Sequence, residues 1–512
     1  MIQCPHRPAC DGCPLFEADQ ATAADAKLGA IRRAFEPYPE LERHAPSSLS
    51  TADTLGYRNR ARMAVKNGRP GFYTAGSREH LPIEICKVHR PEVEALIDAV
   101  RPHLAASPLR EAVQYIDVRV GEYASVVTFV VNRDDGAIRG SLAAVAAGLD
   151  AGVSIAIGDD SGAVMPNAPE VVSEPGSAIM LAGTLALEAP PQAFYQVNDD
   201  ALAVVHAAMR DMLGETELIV DAYCGVGTHG LVLAEGRKVV GFDVSKQAIE
   251  AARRNAKNNS VDGKFVATGA ADLSDWEWPG GAFATIANPA RAGLTPEFVA
   301  AAAASPTTQI LYLSCEPQTL ARDLDRLARR GFVVAETCAY DMMPRTEQVE
   351  SLVRLERTEA PERIYEGAHD DHKSWPAGVS GPLKPEGKLD HTTWFARLAG
   401  KVPHGQPPTY NGRTVIDVRR LRNVGDQSVA RIDMQGGDVT ELRKRLRDWG
   451  YPVVGDTDHG VPAVNAYANR NLWVDRLLLH CARAQKGDET FDADVPGELV
   501  PYFRLPPHKL QP

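Results

Sequence analysis

The feature that most constrains this chain is a set of three glycines, Gly225, Gly227 and Gly230, directly behind the short apolar run Leu218-Ile219-Val220. Such a run suits a buried parallel strand. The G-x-G-x-x-G spacing lets the backbone turn tightly and lie against a ligand where a helix begins. A second strand, Lys238-Val239-Val240-Gly241-Phe242, ends on Asp243. A carboxylate at that strand end can accept hydrogen bonds from both hydroxyls of a ribose. Together these predict a nucleoside-cofactor site on a doubly wound, Rossmann-like α/β sheet. The fingerprint alone does not separate nicotinamide, flavin and S-adenosylmethionine sites, and glycines also serve tight turns with no ligand.

At 512 residues the chain has room for about three domains. A net charge of −12 argues against a generally basic nucleic-acid binder, though not against a local basic face. No run of about 18 apolar residues occurs, so no transmembrane helix is expected. The N-terminus lacks the basic–apolar–small pattern of a secretory signal. Eight cysteines in this length are too few for a disulfide scaffold and fit a reducing compartment, with the cytoplasm as the expectation.

Three of those cysteines, Cys4, Cys10 and Cys13, fall within ten residues as C-x5-C-x2-C, and Cys86 is the next in the chain. Four such thiols suit either zinc or an iron–sulfur cluster, and His6 or His89 could replace a zinc ligand. Between them, Glu17 to Phe35 reads as a helix. Gly56 to Lys66 alternates like a strand, which puts Arg58, Arg60, Arg62 and Lys66 on one face, with Arg69 and Arg78 close behind. That face is expected either to hold phosphates or to be a solvated edge. Residues 91–190 carry an amphipathic helix (Glu92 to Leu104) and several strands, among them Ser125 to Val131, with no obvious chemistry.

Beyond the glycine turn, a third strand spans Lys264 to Thr268, and Asp272 follows it. Thr285-Ile286-Ala287 runs into Asn288-Pro289-Ala290-Arg291, and Gln309 to Leu313 runs into Ser314-Cys315-Glu316-Pro317. Ligands bind outside the carboxyl ends of strands in such sheets, where Asn288 and Cys315 are expected. Asp341 to Glu350 (D-M-M-P-R-T-E-Q-V-E) comes next. In order, F-Y-Q-V-N, D-A-Y-C-G-V-G, G-F-D, N-P-A-R-A-G, Y-L-S-C-E-P-Q-T-L-A-R-D and D-M-M-P-R-T-E-Q-V-E resemble the RNA (uracil-5)-methyltransferase family. The cysteines and G-Y-R-N-R-A-R-M carry the resemblance to the N-terminus.

The resemblance implies S-adenosylmethionine as methyl donor, held by Gln196, Tyr223, Asp243 and Asn288, with Asp272 near the adenine. It implies a [4Fe-4S] cluster on Cys4, Cys10, Cys13 and Cys86, as in the ribosomal-RNA branches. With Cys4 almost at the start no TRAM domain is expected, which is more similar to the branch that methylates 23S rRNA. Carbon 5 of uracil is a poor nucleophile toward a sulfonium methyl, and a thiolate adding at carbon 6 makes it a good one. A base must then remove the carbon 5 proton. Cys315 fits the nucleophile and Glu350 the base. A position near a helix N-terminus is expected to ionise Cys315 in part. Cys224, Cys338 and Cys481 are read as structural thiols, and Arg291 as a substrate contact or a loop tie. Two departures stand out: Ala290 replaces a proline of the family's D/N-P-P-R, and Gln348 stands where a histidine is common. The target base must leave its stack, and the RNA is expected to present it in a loop.

Residues 357–390 are rich in Pro, Gly and charged residues and read as a linker. Strands at Trp394 to Leu398, Thr414 to Leu421 and Gln427 to Met434 and a helix at Val439 to Trp449 follow. Gly450-Tyr451-Pro452-Val453-Val454-Gly455-Asp456 and then Arg476 to His480 resemble the C-terminal half of RluA-type pseudouridine synthases. The nucleophilic Asp motif of that family is missing, with Lys388-Leu389-Asp390 a faint echo, so no isomerase activity is expected. The expected organisation is 1–90 cluster and RNA-contacting region, 91–190 central α+β domain, 191–356 methyltransferase domain, 357–390 linker and 391–512 degenerate synthase-like domain. The competing readings are a tRNA uridine-5 methyltransferase, a non-catalytic RNA-binding protein and an NAD-dependent oxidoreductase. The last gives no role to the Ser314-Cys315 and Val349-Glu350 segments.

Overall fold

The computed structural model describes residues 3–358, apart from 37, 53, 75–78, 159–164, 166–167, 270–279 and 329. It also describes residues 390–495, apart from 400–401, 403–408, 412–413, 425–426, 437, 455, 457–477, 487 and 494. Arg78, Asp272, Lys388, Leu389 and Arg476 therefore lie outside the described residues. Residues 1–31, 44–320 and 330–359 form one compact unit, and the remainder forms a second.

The first unit is built on an eight-stranded sheet ordered Leu49–Thr51, Phe332–Asp341, Glu350–Arg357, Thr307–Ser314, Phe283–Ala287, Leu218–Ala222, Lys238–Asp243, Gly263–Ala267. Its neighbours run parallel except Glu350–Arg357, which is antiparallel to both of its partners. The central strands are buried apart from Leu218 and Thr308 near their starts, as expected of apolar runs covered on both faces. The helix Lys246–Asn258 turns Ala248, Ala251, Ala252 and Ala256 inward, so it lies close to the sheet. Two glycines, one in the short helix Thr228–Leu233 and one in the strand Lys238–Asp243, permit close packing elsewhere around the turn. A Cβ on Gly230 would meet Asp221 Oδ2 and Val239 at 2.8 Å, and one on Gly241 would meet Phe265 at 2.5 Å. This is the Rossmann-like α/β sheet anticipated from the glycine turn.

A seven-stranded sheet precedes it, ordered His80–Pro82, Arg69–Tyr73, Arg60–Lys66, Val113–Arg119, Val126–Val131, Gly152–Ile157, Glu170–Ser173. One apolar core runs through it from Ala61 and Met63 to Val153 and Ile155. The arginine face departs from expectation. The register sets Arg62 opposite Asp117, which is buried. Asp117 takes Arg60 at 2.8 and 2.7 Å and Arg62 at 2.6 Å. Next to it Arg119, fully buried, donates to the carbonyls of Ala189 (3.2 Å), Pro190 (2.9 Å) and Ala193 (2.7 Å). Arg60 and Arg62 thus serve a buried carboxylate, and Arg119 fixes the segment leading to Gln196.

The second unit holds a six-stranded antiparallel sheet, Thr409–Asn411, Thr414–Val424, Gln427–Gln435, His391–Ala399, Leu479–Lys486, Glu489–Asp492. The helix Val439–Asp448 turns Leu442 and Leu446 into the same core as Trp394, Ile432 and Cys481. From that helix Arg443 reaches Asp456 with both oxygens engaged, at 2.8 and 2.6 Å, and both side chains are buried. No helix among the described residues is long and apolar enough to cross a membrane.

Candidate active site and cysteine pocket

Strand direction collects the candidate residues at one edge of the eight-stranded sheet. Tyr223, Asn288 and Cys315 each follow directly after a parallel strand, and Asp243 ends one. Glu350 opens the antiparallel strand, so it begins at the same edge. Pairing of Ser314 with Ser351 sets the thiol and the carboxyl at the ends of adjoining strands.

The glycine turn is built by left-handed backbone at Tyr223 (φ 59°), Gly225 (φ 55°) and Gly227 (φ 84°). Asp243 closes it, accepting from Gly225 N at 3.1 Å with one oxygen and from Ser245 N at 2.8 Å with the other. Tyr223 stands tilted against Phe298 (5.5 Å) and Phe242 (6.5 Å), and its hydroxyl accepts from Thr295 N. Gln196 is buried, and its backbone oxygen accepts from Asn59 Nδ2 at 3.0 Å. Beneath the turn, Asp221 accepts from Gly230 N at 2.8 Å with Oδ2, while Oδ1 is buried without a partner. Burial and the neighbouring Asp243 push its carboxyl up to about 7.

Cys315 and Glu350 shape one another electrostatically. Burial first and Glu350 second raise the thiol to about 11, against the opposing pull of Arg291. The partial ionisation expected from the strand-end position is thus not what this environment gives: burial and a facing carboxyl outweigh the backbone. Glu350 is 5% exposed, and burial carries its carboxyl up to about 8 against the pull of Arg291. Its Oε2, like the hydroxyl of Ser351, is buried without a hydrogen-bond partner. Arg291 is also a loop tie, since its carbonyl accepts from Thr319 Oγ1 at 3.1 Å. The arrangement supplies a thiol, a base that titrates near neutrality and a cation that acts on both.

One part of the edge was invisible in the sequence. Asn288 Nδ2 donates to His229 Nε2 at 3.0 Å, and His229 Nδ1 stands 3.0 Å from His206 Nε2. An amide nitrogen only donates, so His229 must carry its proton on Nδ1 and pass the bond on to His206. Burial holds His229 down at about 4 and His206 at about 2, so both rings stay neutral. The chain leaves Asn288 Oδ1 as the atom not claimed by His229. A histidine inside a glycine-turn helix was the available signal.

Cys4, Cys10, Cys13 and Cys86 line one pocket, together with Phe16, Phe72, Ile83, Ile85 and Val88. The two histidines considered as alternative ligands are otherwise engaged. His6 Nε2 accepts from Glu84 N at 3.2 Å, and His89 Nδ1 is 2.6 Å from Glu94. Among the described residues, no three of His, Cys, Asp and Glu converge as they would on a single ion.

Residues 186–358 match the model of the tRNA (uracil-5-)-methyltransferase family. Over 393 residues the chain is 29% identical to the 23S rRNA (uracil(1939)-C(5))-methyltransferase RlmD of Shewanella denitrificans, covering 69% of this chain and 82% of that one. It is 27% identical over 403 residues to an RNA methyltransferase of Geobacter sulfurreducens, covering 72% and 81%. Among solved structures it is similar to the tRNA (uracil-54, C5)-methyltransferase of Pyrococcus abyssi in complex with S-adenosyl-L-homocysteine. That likeness has a TM-score of 0.56 at 24% identity and covers 68% of this chain and 86% of the other. The segment bearing the glycine turn, Cys315 and Glu350 is a domain of the tRNA (uracil-5-)-methyltransferase family, and the chain is an RNA (uracil-5-)-methyltransferase.

Proposed function

We propose that this enzyme methylates a uridine of 23S rRNA, with Cys315 as nucleophile, Glu350 as base and S-adenosylmethionine as donor. The observation that carries the reading is the placement of Cys315 and Glu350 on adjoining strand ends, at the edge that also bears the glycine turn and Asp243. Asp243 and Gln196 would hold the donor from the ribose side, Tyr223 would bound it, Asn288 would offer Oδ1, and Asp272 would lie near the adenine. When bound, the donor supplies an electrophilic methyl on a sulfonium. Cys315 gives up its proton to solvent and adds as thiolate to carbon 6 of the extruded uracil, and the carbon 5–carbon 6 π pair moves toward carbon 5 and the 4-carbonyl. Carbon 5 takes the methyl, and the sulfonium leaves as a thioether. Glu350 then removes the carbon 5 proton, the double bond re-forms, and the sulfur departs as thiolate. Arg291 offsets the charge that passes between the two groups.

The choice of 23S rRNA over tRNA rests on the Shewanella relative and on the four cysteines. Four thiols around an apolar pocket suit a [4Fe-4S] cluster, which spreads its ligands more widely than one zinc ion does. Such a cluster would act as a staple, tying residues 4–13 to Cys86. The second unit would be a degenerate pseudouridine-synthase-like module without isomerase activity.

The test is methyl transfer to a 23S rRNA transcript and to a tRNA transcript. The wild-type chain should label the former at carbon 5 of uridine, and Cys315→Ala should lose at least about 10⁴-fold of that rate. Retained methylation in the alanine variant rejects the nucleophile. Labelling of tRNA alone rejects the substrate.

A further inference from the structure

The loop that delivers Glu350 is not held by Glu350 itself, whose Oε2 has no partner. It is held from the N-terminal segment. Lys27 Nζ bonds Asp341 and donates to Met343 O at 3.2 Å. Tyr57 Oη donates to Pro344 O at 3.1 Å. Arg345 makes the densest attachment. Its Nη1 donates to the carbonyls of Phe16 (2.9 Å) and Ala18 (3.3 Å), and its Nη2 donates to Thr54 Oγ1 at 2.9 Å. Its own carbonyl accepts from Leu15 N at 3.0 Å. The guanidinium lies 5.5 Å from the ring centre of Phe16, and Phe16 lines the cysteine pocket.

Arg345 does this from left-handed backbone (φ 69°), a conformation that L side chains adopt only when their surroundings impose it. A bond set that overrides this preference is evidence of a position specified by its contacts. Thr346 then tightens the turn, donating from Oγ1 to Met343 O at 2.7 Å and accepting from Gln348 N at 3.3 Å, two residues before Glu350.

We infer that Arg345 is a positioning residue for Glu350: it bolts the loop of the base to the segment beside the cysteines. The inference rests on the reading of Glu350 as base. The step it governs is removal of the carbon 5 proton to Glu350, with the C–H pair re-forming the carbon 5–carbon 6 bond and the carbon 6–sulfur bond breaking to free the Cys315 thiolate. A displaced carboxylate leaves addition and methyl transfer intact and delays that last step. The signature is therefore accumulation of a methylated protein–RNA adduct.

The experiment uses the full chain, S-adenosylmethionine labelled in the methyl group and a 23S rRNA transcript. It reads turnover, KM for the donor and the labelled adduct on a denaturing gel. Glu350→Gln sets the reference and should trap the adduct. Arg345→Ala should trap it too, with kcat down about 10- to 100-fold and the donor KM within about twofold. Arg345→Lys should recover part of the loss, and Thr54→Val, a milder change, should show the same split at about threefold. If Glu350→Gln traps nothing, the base assignment falls and this inference with it. If Glu350→Gln traps the adduct while Arg345→Ala or Thr54→Val raises the donor KM, lowers adduct and turnover together, or changes nothing, only the role of Arg345 falls.

Discussion

The sheet edge that gathers Cys315 and Glu350 and the six-stranded C-terminal sheet bury charge in opposite ways. Among the described residues, every buried side-chain polar atom without a partner lies in the first 354 positions, and Asp221, Glu350 and Ser351 belong to the edge itself. In the C-terminal sheet Arg443 and Asp456 satisfy one another with two bonds, Arg397 Nε donates to Gln427 at 2.5 Å, and Thr393 donates to Asp433 at 2.6 Å. A buried polar group left unmatched costs stability, so a fold keeps it where chemistry requires it. Other unmatched atoms, Thr128 Oγ1 and Ser154 Oγ among them, lie in the seven-stranded sheet, so the contrast concerns the two buried carboxyls of the edge rather than every unmatched atom.

The largest expected effect in this comparison comes from breaking a matched pair. Arg443→Ala removes both bonds that the guanidinium gives the buried carboxylate of Asp456 and should destabilise the C-terminal unfolding transition by about 3–5 kcal/mol. Replacing both partners with apolar residues of similar volume should restore most of it. Urea unfolding followed by tryptophan emission, to which buried Trp394 contributes, measures both.

At the unmatched edge the sign reverses. Glu350 titrates at about 8 in the folded chain against about 4.5 when unfolded. Below pH 4.5 both states are protonated and the site costs nothing. Between 4.5 and 8 the unfolded chain ionises first, so stability falls, and above 8 it levels off. Glu350→Gln removes that slope and should be more stable than wild type by about 3 kcal/mol at pH 7, with little difference at pH 4.5. Calorimetry at the two pH values checks this, and a less stable variant at pH 7 breaks the comparison.

The smallest effect concerns the histidine pair, which is matched yet belongs to the edge. His229 sits at about 4 against its ordinary 6.5, so its contribution is present above 6.5 and is lost as pH falls through 4. His229→Phe should flatten the acid limb of the stability curve and cost about 1–3 kcal/mol at pH 7 by stranding Asn288 Nδ2 and His206. It should weaken S-adenosylhomocysteine binding by titration calorimetry if Asn288 touches the ligand.

What the sequence carried was local. The strand at Leu218–Ala222, the glycine turn, Asp243 and the residues after Ala287 and Ser314 are each announced within a few positions by apolar runs and breakers. What it hid depends on partners far along the chain. Arg60 and Arg62 read as either a phosphate-binding face or a solvated edge because Asp117 lies more than fifty positions away, and only the register between two strands brings it opposite. His206 and His229 meet because a helix before the glycine turn lies beside the short helix after it. The thiol of Cys315 was read from its strand end, whereas the desolvation and the facing carboxyl that dominate it come from another strand. Edge strand Leu49–Thr51 is too short to signal itself and exists through its parallel pairing with Ala339–Asp341.

That distant pairing has a consequence for biosynthesis. Lys27, fully enclosed, and its counter-ion Asp341 are separated by 314 positions. At a translation rate of about 5–20 residues per second, the ammonium emerges from the ribosome roughly 15–60 s ahead of the carboxylate that neutralises it. Its helix cannot settle into its final seat during that interval, because an unneutralised ammonium resists leaving water. The N-terminal helix is thus seated only after residue 341 has been made, against a sheet whose strands from Leu218 to Ser314 precede that residue in the chain.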